Sequence, residues 1–313
     1  MRPTEKRGIR FESADGRGVI SGVFFENPDV EPFCLLQISH GMCEYMGRYA
    51  HFAEYCARNG VVVFGNDHIG HGASAGCVDD LGYFGEKGAR RFAIRDLKIM
   101  NQMAKEAYPE LPVVLLGHSM GSFFARQYAV QWPDTIEGLI LSGTGGPNPM
   151  AGGGVAITKA MMKWRGDRHR SKFVEGLVFG AYLNEIQQPR TRYDWVSSDI
   201  EVVRQYVSDP YCNFHFTLSG FHELFSALRE VSSPAWAVQI KKTMPIMIFS
   251  GAEDPVGDHG KGVKKVYDWL RGAGVKHIEY RLYPGGRHEM LNEVNREEVY
   301  EDILAFLKRW YGQ

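Results

Sequence analysis

The sequence predicts an α/β fold: a mostly parallel central sheet with helices on both faces and an inserted helical cap. Three observations predict it. Between residues 33 and 142, short apolar runs alternate with amphipathic helical patterns. The alternation breaks at Gly143, where a glycine- and proline-rich stretch leads into a helical, aromatic-rich segment. It resumes at Pro245 and continues towards the C-terminus. Short apolar strands separated by helices need right-handed crossovers, which place helices on both faces of one sheet.

The elements follow in order. Residues 8–27 read as two short strands around the turn Ala14-Asp15-Gly16-Arg17-Gly18, an antiparallel edge. A buried strand is expected over 33–39, an amphipathic helix over 46–58 closed by Gly60, and a strand over 61–65. The helix expected over 87–107 ends before Pro109, with Phe92, Leu97, Met100 and Met103 at roughly helical spacing. Residues 113–116 read as a strand, 120–131 as a helix ending before Pro133, and 138–141 as a further strand. Gly143-Thr144-Gly145-Gly146-Pro147-Asn148-Pro149, with Gly152-Gly153-Gly154 after it, reads as a flexible break. Beyond it lie Trp164, Phe173, Phe179, Tyr182, Trp195, Phe214, Phe216, Phe221 and Phe225. A strand over 245–250, a helix over 260–272, a strand over 278–283 and a helix over 295–310 complete the pattern. The expected organisation is a core of 1–146 and 241–313, with 147–240 inserted as a cap between two strands of one sheet.

Composition narrows the function classes. With 36 basic and 37 acidic residues the net charge is −1, and no basic run tracks a phosphate backbone, so nucleic acid is not an expected partner. Residues 1–7 lack the apolar core of a signal peptide, and no uninterrupted apolar stretch has spanning length. Cys34, Cys43, Cys56, Cys77 and Cys212 form an odd, widely spaced set without a C-x-x-C pair. Reduced thiols and a cytoplasmic location are therefore expected, with Cys43 a small buried filler. Asp67-His68-Ile69-Gly70-His71 has no accompanying ligand cluster, so a loop-fixing role is expected there and no metal. No dinucleotide fingerprint and no Walker loop is present, and no cofactor is expected.

The chemistry centres on Gly117-His118-Ser119-Met120-Gly121. A nucleophilic hydroxyl must be presented on a sharp strand-to-helix turn, and side chains in place of the flanking glycines would collide as that turn tightens. Gly72-Ala73-Ser74-Ala75-Gly76 matches the same pattern, but only Ser119 follows an apolar strand and opens an amphipathic helix. Serine needs a base, and the base a carboxylate to orient it. Asp254 directly follows the strand expected over 245–250, and His288 the strand over 278–283, so both project at the same sheet edge as Ser119. Asp258 and His259 are rivals that lie farther from the strand end. Two backbone N–H groups should bind the tetrahedral intermediate: that of Met120, after the nucleophile, and that of Met42, in Ser39-His40-Gly41-Met42.

These motifs give a family resemblance. The chain resembles the monoacylglycerol lipase and lysophospholipase-like branch of the α/β-hydrolases over nearly its whole length outside the cap. The resemblance rests on Ser39-His40-Gly41-Met42-Cys43-Glu44-Tyr45-Met46-Gly47-Arg48-Tyr49, Asp67-His68-Ile69-Gly70-His71-Gly72-Ala73-Ser74, Gly117–Gly121, Gly251–Asp254 and Arg287-His288-Glu289. It implies an α/β-hydrolase fold, a triad of Ser119, Asp254 and His288, and an oxyanion site at the amides of Met42 and Met120. Met42-Cys43 departs from the smaller pair, such as Ala-Gly, that family members often carry, and is expected to narrow the pocket wall.

The function expected is hydrolysis of a carboxylic monoester with an apolar acyl chain, a monoacylglycerol or lysophospholipid, without a cofactor. Two alternatives remain at this point. One is an iminopeptidase-like peptidase whose cap carboxylates, among Glu175, Glu185 and Glu201, would grip a free amine. The other is a non-catalytic small-ligand receptor on this fold. The basic cluster over 165–172 is expected to be a solvated cap face, with transient contact to anionic lipid as its other reading.

Overall fold

The computed structural model describes residues 4–85 and 88–312. Residues 1–3, where the signal-peptide reading begins, and residue 87, the first of the helix expected over 87–107, lie outside them.

The first two strands, β1 (Glu5–Glu12) and β2 (Val19–Glu26), pair antiparallel around the predicted turn. Then come β3 (Cys34–Ser39), α1 (Ala50–Arg58), β4 (Val61–Asn66), α2 (Arg90–Ala107), β5 (Val113–His118), α3 (Met120–Gln131) and β6 (Gly138–Ser142). Four helices follow before the next strand: α4 (Ala151–Arg165), α5 (Lys172–Phe179), α6 (Ile200–Ser208) and α7 (Leu218–Val231). The chain closes with β7 (Ile246–Gly251), α8 (Lys261–Gly272), β8 (Ile278–Tyr283) and α9 (Arg296–Tyr311). The sheet runs β1-β2-β4-β3-β5-β6-β7-β8, parallel from β4 to β8. The mostly parallel sheet, with helices on both faces, is the architecture the strand rhythm predicts.

Alternation along the central strands builds two cores. Val113 and Leu115 of β5 face the layer holding α2, α3 and α8, whereas Val114 and Leu116 face α1 and α9. Ile246 and Ile248 of β7 divide from Met247 and Phe249 in the same way. With both faces covered, these strands read as continuous apolar runs. Parallel strands also bring every following loop to one edge. The segments after β3, β5, β6, β7 and β8 therefore share one rim, and the site forms there.

Two local expectations change. The helix expected from residue 46 starts as a 3-10 turn over Met46–Tyr49 before α1 begins. The glycine-rich break is not a loose linker: residues 143–146 are buried, and Gly152-Gly153-Gly154 lie inside α4. A Cβ on Gly154 would stand 2.6 Å from the Phe225 ring of α7, so this glycine serves close helix packing rather than flexibility.

Candidate active site

Ser119 sits between β5 and α3 at φ 51° and ψ −121°, a backbone conformation L-residues seldom adopt. Such a residue persists only where its surroundings over-determine it. Here the Ser119 N–H donates to the Ser142 carbonyl at 3.0 Å, and the Ser119 carbonyl accepts from the Ser122 N–H at 2.9 Å and the Ser122 hydroxyl at 2.6 Å. The flanking glycines have the predicted steric cause. A Cβ on Gly121 would lie 2.0 Å from the Ser39 carbonyl oxygen, and one on Gly117 2.6 Å from that of Gly121. The second motif is built differently. The Ser74 hydroxyl donates to the Asp67 carbonyl at 2.7 Å and accepts from the Ser21 N–H at 2.9 Å, so it pins a loop.

Asp254 follows β7 and is completely buried; His288 follows β8 and is buried too. The His288 Nδ1 lies 3.0 Å from each Asp254 carboxylate oxygen. Asp254 also accepts from the Ser250 hydroxyl at 2.7 Å and the Val256 N–H at 2.9 Å. Burial opposes ionisation of this carboxyl, but His288 and these donors outweigh it and hold its pKa below the ordinary value. For His288, burial opposes protonation, and the Asp254 charge and hydrogen bond overcome it, so the pKa lies above the usual imidazole value. Nδ1–H donation to Asp254 leaves Nε2 without a proton and able to accept one. The rival Asp258 is exposed, and His259 Nε2 lies 3.4 Å from Glu185 instead.

The loop after β3 brings Met42 to the same cavity as Ser119, Met120 and His288. A Cβ on Gly41 would come within 3.0 Å of the Ser119 Cβ, so only glycine lets this backbone approach Ser119 so closely. The Glu44 carboxylate clamps the loop, accepting from the Gly41 N–H and, at 2.8 Å, from the Tyr49 hydroxyl. Asp67 fixes the loop's far end by accepting from the Met46 and Ala73 N–H groups, both at 2.8 Å. Cys43 is buried at φ 55°, a left-handed conformation glycine would adopt freely, and its thiol donates to the Phe214 carbonyl.

The cavity has a volume of about 1100 Å³, at the upper end for small-molecule sites. Of the nine aromatics named between 147 and 240, Phe179, Tyr182, Trp195, Phe214 and Phe225 line it, while Phe216 and Phe221 are core and Trp164 and Phe173 face solvent. Among the acids considered for amine binding, only Glu175 reaches the wall, and it is already held by Arg192 at 3.2 Å and His215 at 2.7 Å. The basic cluster over 165–172 is only partly solvated: Arg168 pairs with Asp80 at 2.7 Å, and Arg170 donates to the His215 and Asp79 carbonyls. Neighbours of the site that sequence reasoning did not assign are His118, whose ring centroid lies 4.6 Å from that of His288, and Trp195 at 5.1 Å. His118 stands inside the nucleophile motif and was legible there; nothing in the sequence marks Trp195.

A serine on a strained strand-to-helix turn, set at the rim of a mostly parallel sheet beside a buried Asp-His pair, defines a serine hydrolase of the α/β-hydrolase fold. Residues 31–295 match the family model described as serine aminopeptidase, S33, and the chain belongs to that family. It is similar to the monoacylglycerol lipase of Mycolicibacterium smegmatis, 28% identical over 90% of each chain. It is also similar to the monoglyceride lipase of Homo sapiens, 27% identical over 91% of this chain and 84% of that one. A thermostable carboxyl esterase from Bacillus coagulans, solved in complex with glycerol, superposes with a TM-score of 0.91 at 31% identity, covering 98% of this chain and 99% of that one. Within the family, the chain is thus a serine ester hydrolase, related to the monoacylglycerol lipases.

Proposed function

We propose that the chain hydrolyses monoesters with an apolar acyl chain, a monoacylglycerol or lysophospholipid, with 147–240 acting as a cap over the site. The Asp254–His288 pair, buried at the wall of the cavity that Ser119 enters, is the observation that carries this reading. Ser119 Oγ attacks the ester carbonyl carbon as its proton passes to His288 Nε2. The resulting oxyanion is held by the N–H groups of Met42 and Met120. Collapse expels the alcohol, which takes the proton from His288. Water, deprotonated by the same nitrogen, then attacks the acyl-enzyme; the acyl–Ser119 Oγ bond breaks, Oγ takes the proton back from His288, and the acid is released. No step calls for a cofactor. A cytoplasmic location is supported by the free thiols, four buried and Cys77 exposed.

The apolar slot is tested by substrate length. Each buried methylene contributes about 0.8 kcal/mol, close to a fourfold gain in binding. Four added acyl carbons are expected to raise kcat/KM by up to roughly two orders of magnitude until the slot fills. The panel runs nitrophenyl esters from acetate to laurate beside monoacylglycerols, lysophospholipids and proline anilide. A strict acetate preference, or faster cleavage of the anilide, would overturn the lipid reading. The anilide arm addresses the aminopeptidase in the family description, a reading weakened by the pairing of Glu175.

Contact with a lipid surface through the cap is supported by side chains that a water-facing helix would not favour. Trp164 is 87% exposed, Met150 73% and Phe173 61%; Lys163 and Arg165 flank Trp164 in the chain, and Lys172 precedes Phe173. Co-sedimentation with anionic phospholipid vesicles should be clear for the native chain and reduced by Trp164→Glu. No co-sedimentation of the native chain would remove this contact. Among the described residues, no helix is long and apolar enough to cross a membrane.

A further inference from the structure

We infer that the cap strap of Asp194, Trp195, Val196, Ser197 and Ser198 is part of the reaction machinery, with Trp195 acting as a positioning residue that seats and shields the His288 ring. The inference rests on the reading of His288 as the base. Trp195 is 9% exposed, and its ring centroid lies 5.1 Å from that of His288 at an interplanar angle of 46°. Tyr182 and Phe179 pack behind it at 5.0 and 5.7 Å, so the indole cannot swing away without unstacking.

The strap is laced to the histidine loop from both ends. The Glu289 N–H, next in chain after His288, donates to the Val196 carbonyl at 2.8 Å. Arg287, just before it, donates from Nη1 to the carbonyls of Asp194 at 2.6 Å and Ser197 at 3.1 Å. Glu293, completely buried, joins the two segments. Its Oε1 accepts from the Arg287 N–H at 3.0 Å and the Ser198 N–H at 2.7 Å, and its Oε2 from the Ser198 hydroxyl at 2.6 Å. A loop that carries a base has little rigidity of its own. Here its main chain borrows rigidity from an inserted segment far away in sequence, and that segment lays an indole on the ring it must hold.

Two consequences follow for the base. Rigid seating keeps Nε2 aimed at the nucleophile, and a displacement of about 1 Å can cost on the order of 100-fold in rate. Shielding keeps water off one face of the imidazole, and loss of that shield favours the charged form. The other titratable and charged groups around the ring are Asp254 after β7, His118 at the end of β5, Glu44 and Arg48 after β3, and Glu289 beside it. Tyr182 of the cap faces Asp254. Trp195 is neutral, so replacing it leaves all of these charges in place.

The experiment is the pH profile of kcat/KM on one nitrophenyl ester for the native chain and for Trp195→Ala, Trp195→Leu and Trp195→Phe. The acid limb is expected to move to higher pH in Trp195→Ala, by about half a unit or more, with kcat down ~10-fold or more. Trp195→Leu should fall between, and Trp195→Phe should restore both limb and rate. Should Trp195→Ala not fold, the leucine variant decides. A drop in melting temperature or in kcat with the acid limb unmoved would reduce Trp195 to packing and overturn the proposal. Failure of the underlying reading looks different: it would appear as turnover surviving in His288→Ala.

Discussion

Ester turnover by Ser119→Ala is expected to fall at least ~10³-fold in kcat while the protein stays folded. Alanine keeps the Cβ and the strained turn, because the bonds that hold Ser119 run through its own N–H and carbonyl and not through its hydroxyl. What disappears is the hydroxyl proposed to form the acyl-enzyme, so fluorophosphonate labelling should vanish as well. Ser74→Ala separates this from a general effect of serine loss. It removes two part-buried hydrogen bonds and should cost about 1–3 kcal/mol of stability, with kcat close to native. Turnover retained in a pure Ser119→Ala sample would end the assignment. So would loss of turnover confined to the folded Ser74 variant.

Asp254→Asn should produce the second large loss, about 10³- to 10⁴-fold in kcat. Both carboxylate oxygens lie 3.0 Å from His288 Nδ1, and Asp254 itself has no exposure through which water could substitute. An amide can turn its NH₂ towards Nδ1, which places the ring proton on Nε2 and blocks the base. Even with its oxygen inward, it lacks the charge that stabilises the imidazolium. The pH profile carries an independent sign. In the native chain kcat/KM should fall on the acid side as His288 becomes protonated, at a pH above the ordinary imidazole value because Asp254 raises it. Without that carboxylate, burial is left to dominate, and the acid limb should move to lower pH. Asp258→Asn, at an exposed left-handed position that asparagine also tolerates, should stay within about twofold of native. A reversed ranking of the two variants would transfer the orienting role to Asp258.

The two variants differ in how far their logic could be read without coordinates. Ser119 could be told from Ser74 because strand, turn and helix are local patterns. Val113 to Leu116 and the amphipathic run after Met120 lie within a few residues of the serine. The choice of Asp254 over Asp258 was also local, resting on distance from a strand end. The clamp on the loop after β3 was half visible: Glu44 and Tyr49 stand in the quoted motif, but the meeting of the Gly41 N–H and the Tyr49 hydroxyl on the Glu44 carboxylate depends on how that segment folds back.

The segment over 147–240 shows the opposite case. Its aromatic richness was evident, yet the division into cavity wall, core and surface was not. Phe214 lines the cavity while Phe216, two residues on, is core, and Trp195 lies on the histidine while Trp164 meets solvent. The glycines over 152–154 read as part of a flexible break and instead form helix, because the partner that requires Gly154 to lack a side chain is Phe225 on another helix.

The sequence by itself determined the α/β architecture, the edge at which Ser119, Asp254 and His288 converge, and the reason glycines flank the serine. These follow from hydrophobic periodicity and turn sterics, which act between residues close in the chain. Only the tertiary structure decided which cap side chains meet the site, that Glu175 is already paired, and that Trp195, Arg287 and Glu293 bind the strap to the histidine loop. The strap contacts join residues 90 to 95 positions apart, and the partners of Glu175 lie 17 and 40 positions from it. Their partners are chosen by packing between whole elements, and no local periodicity records that choice.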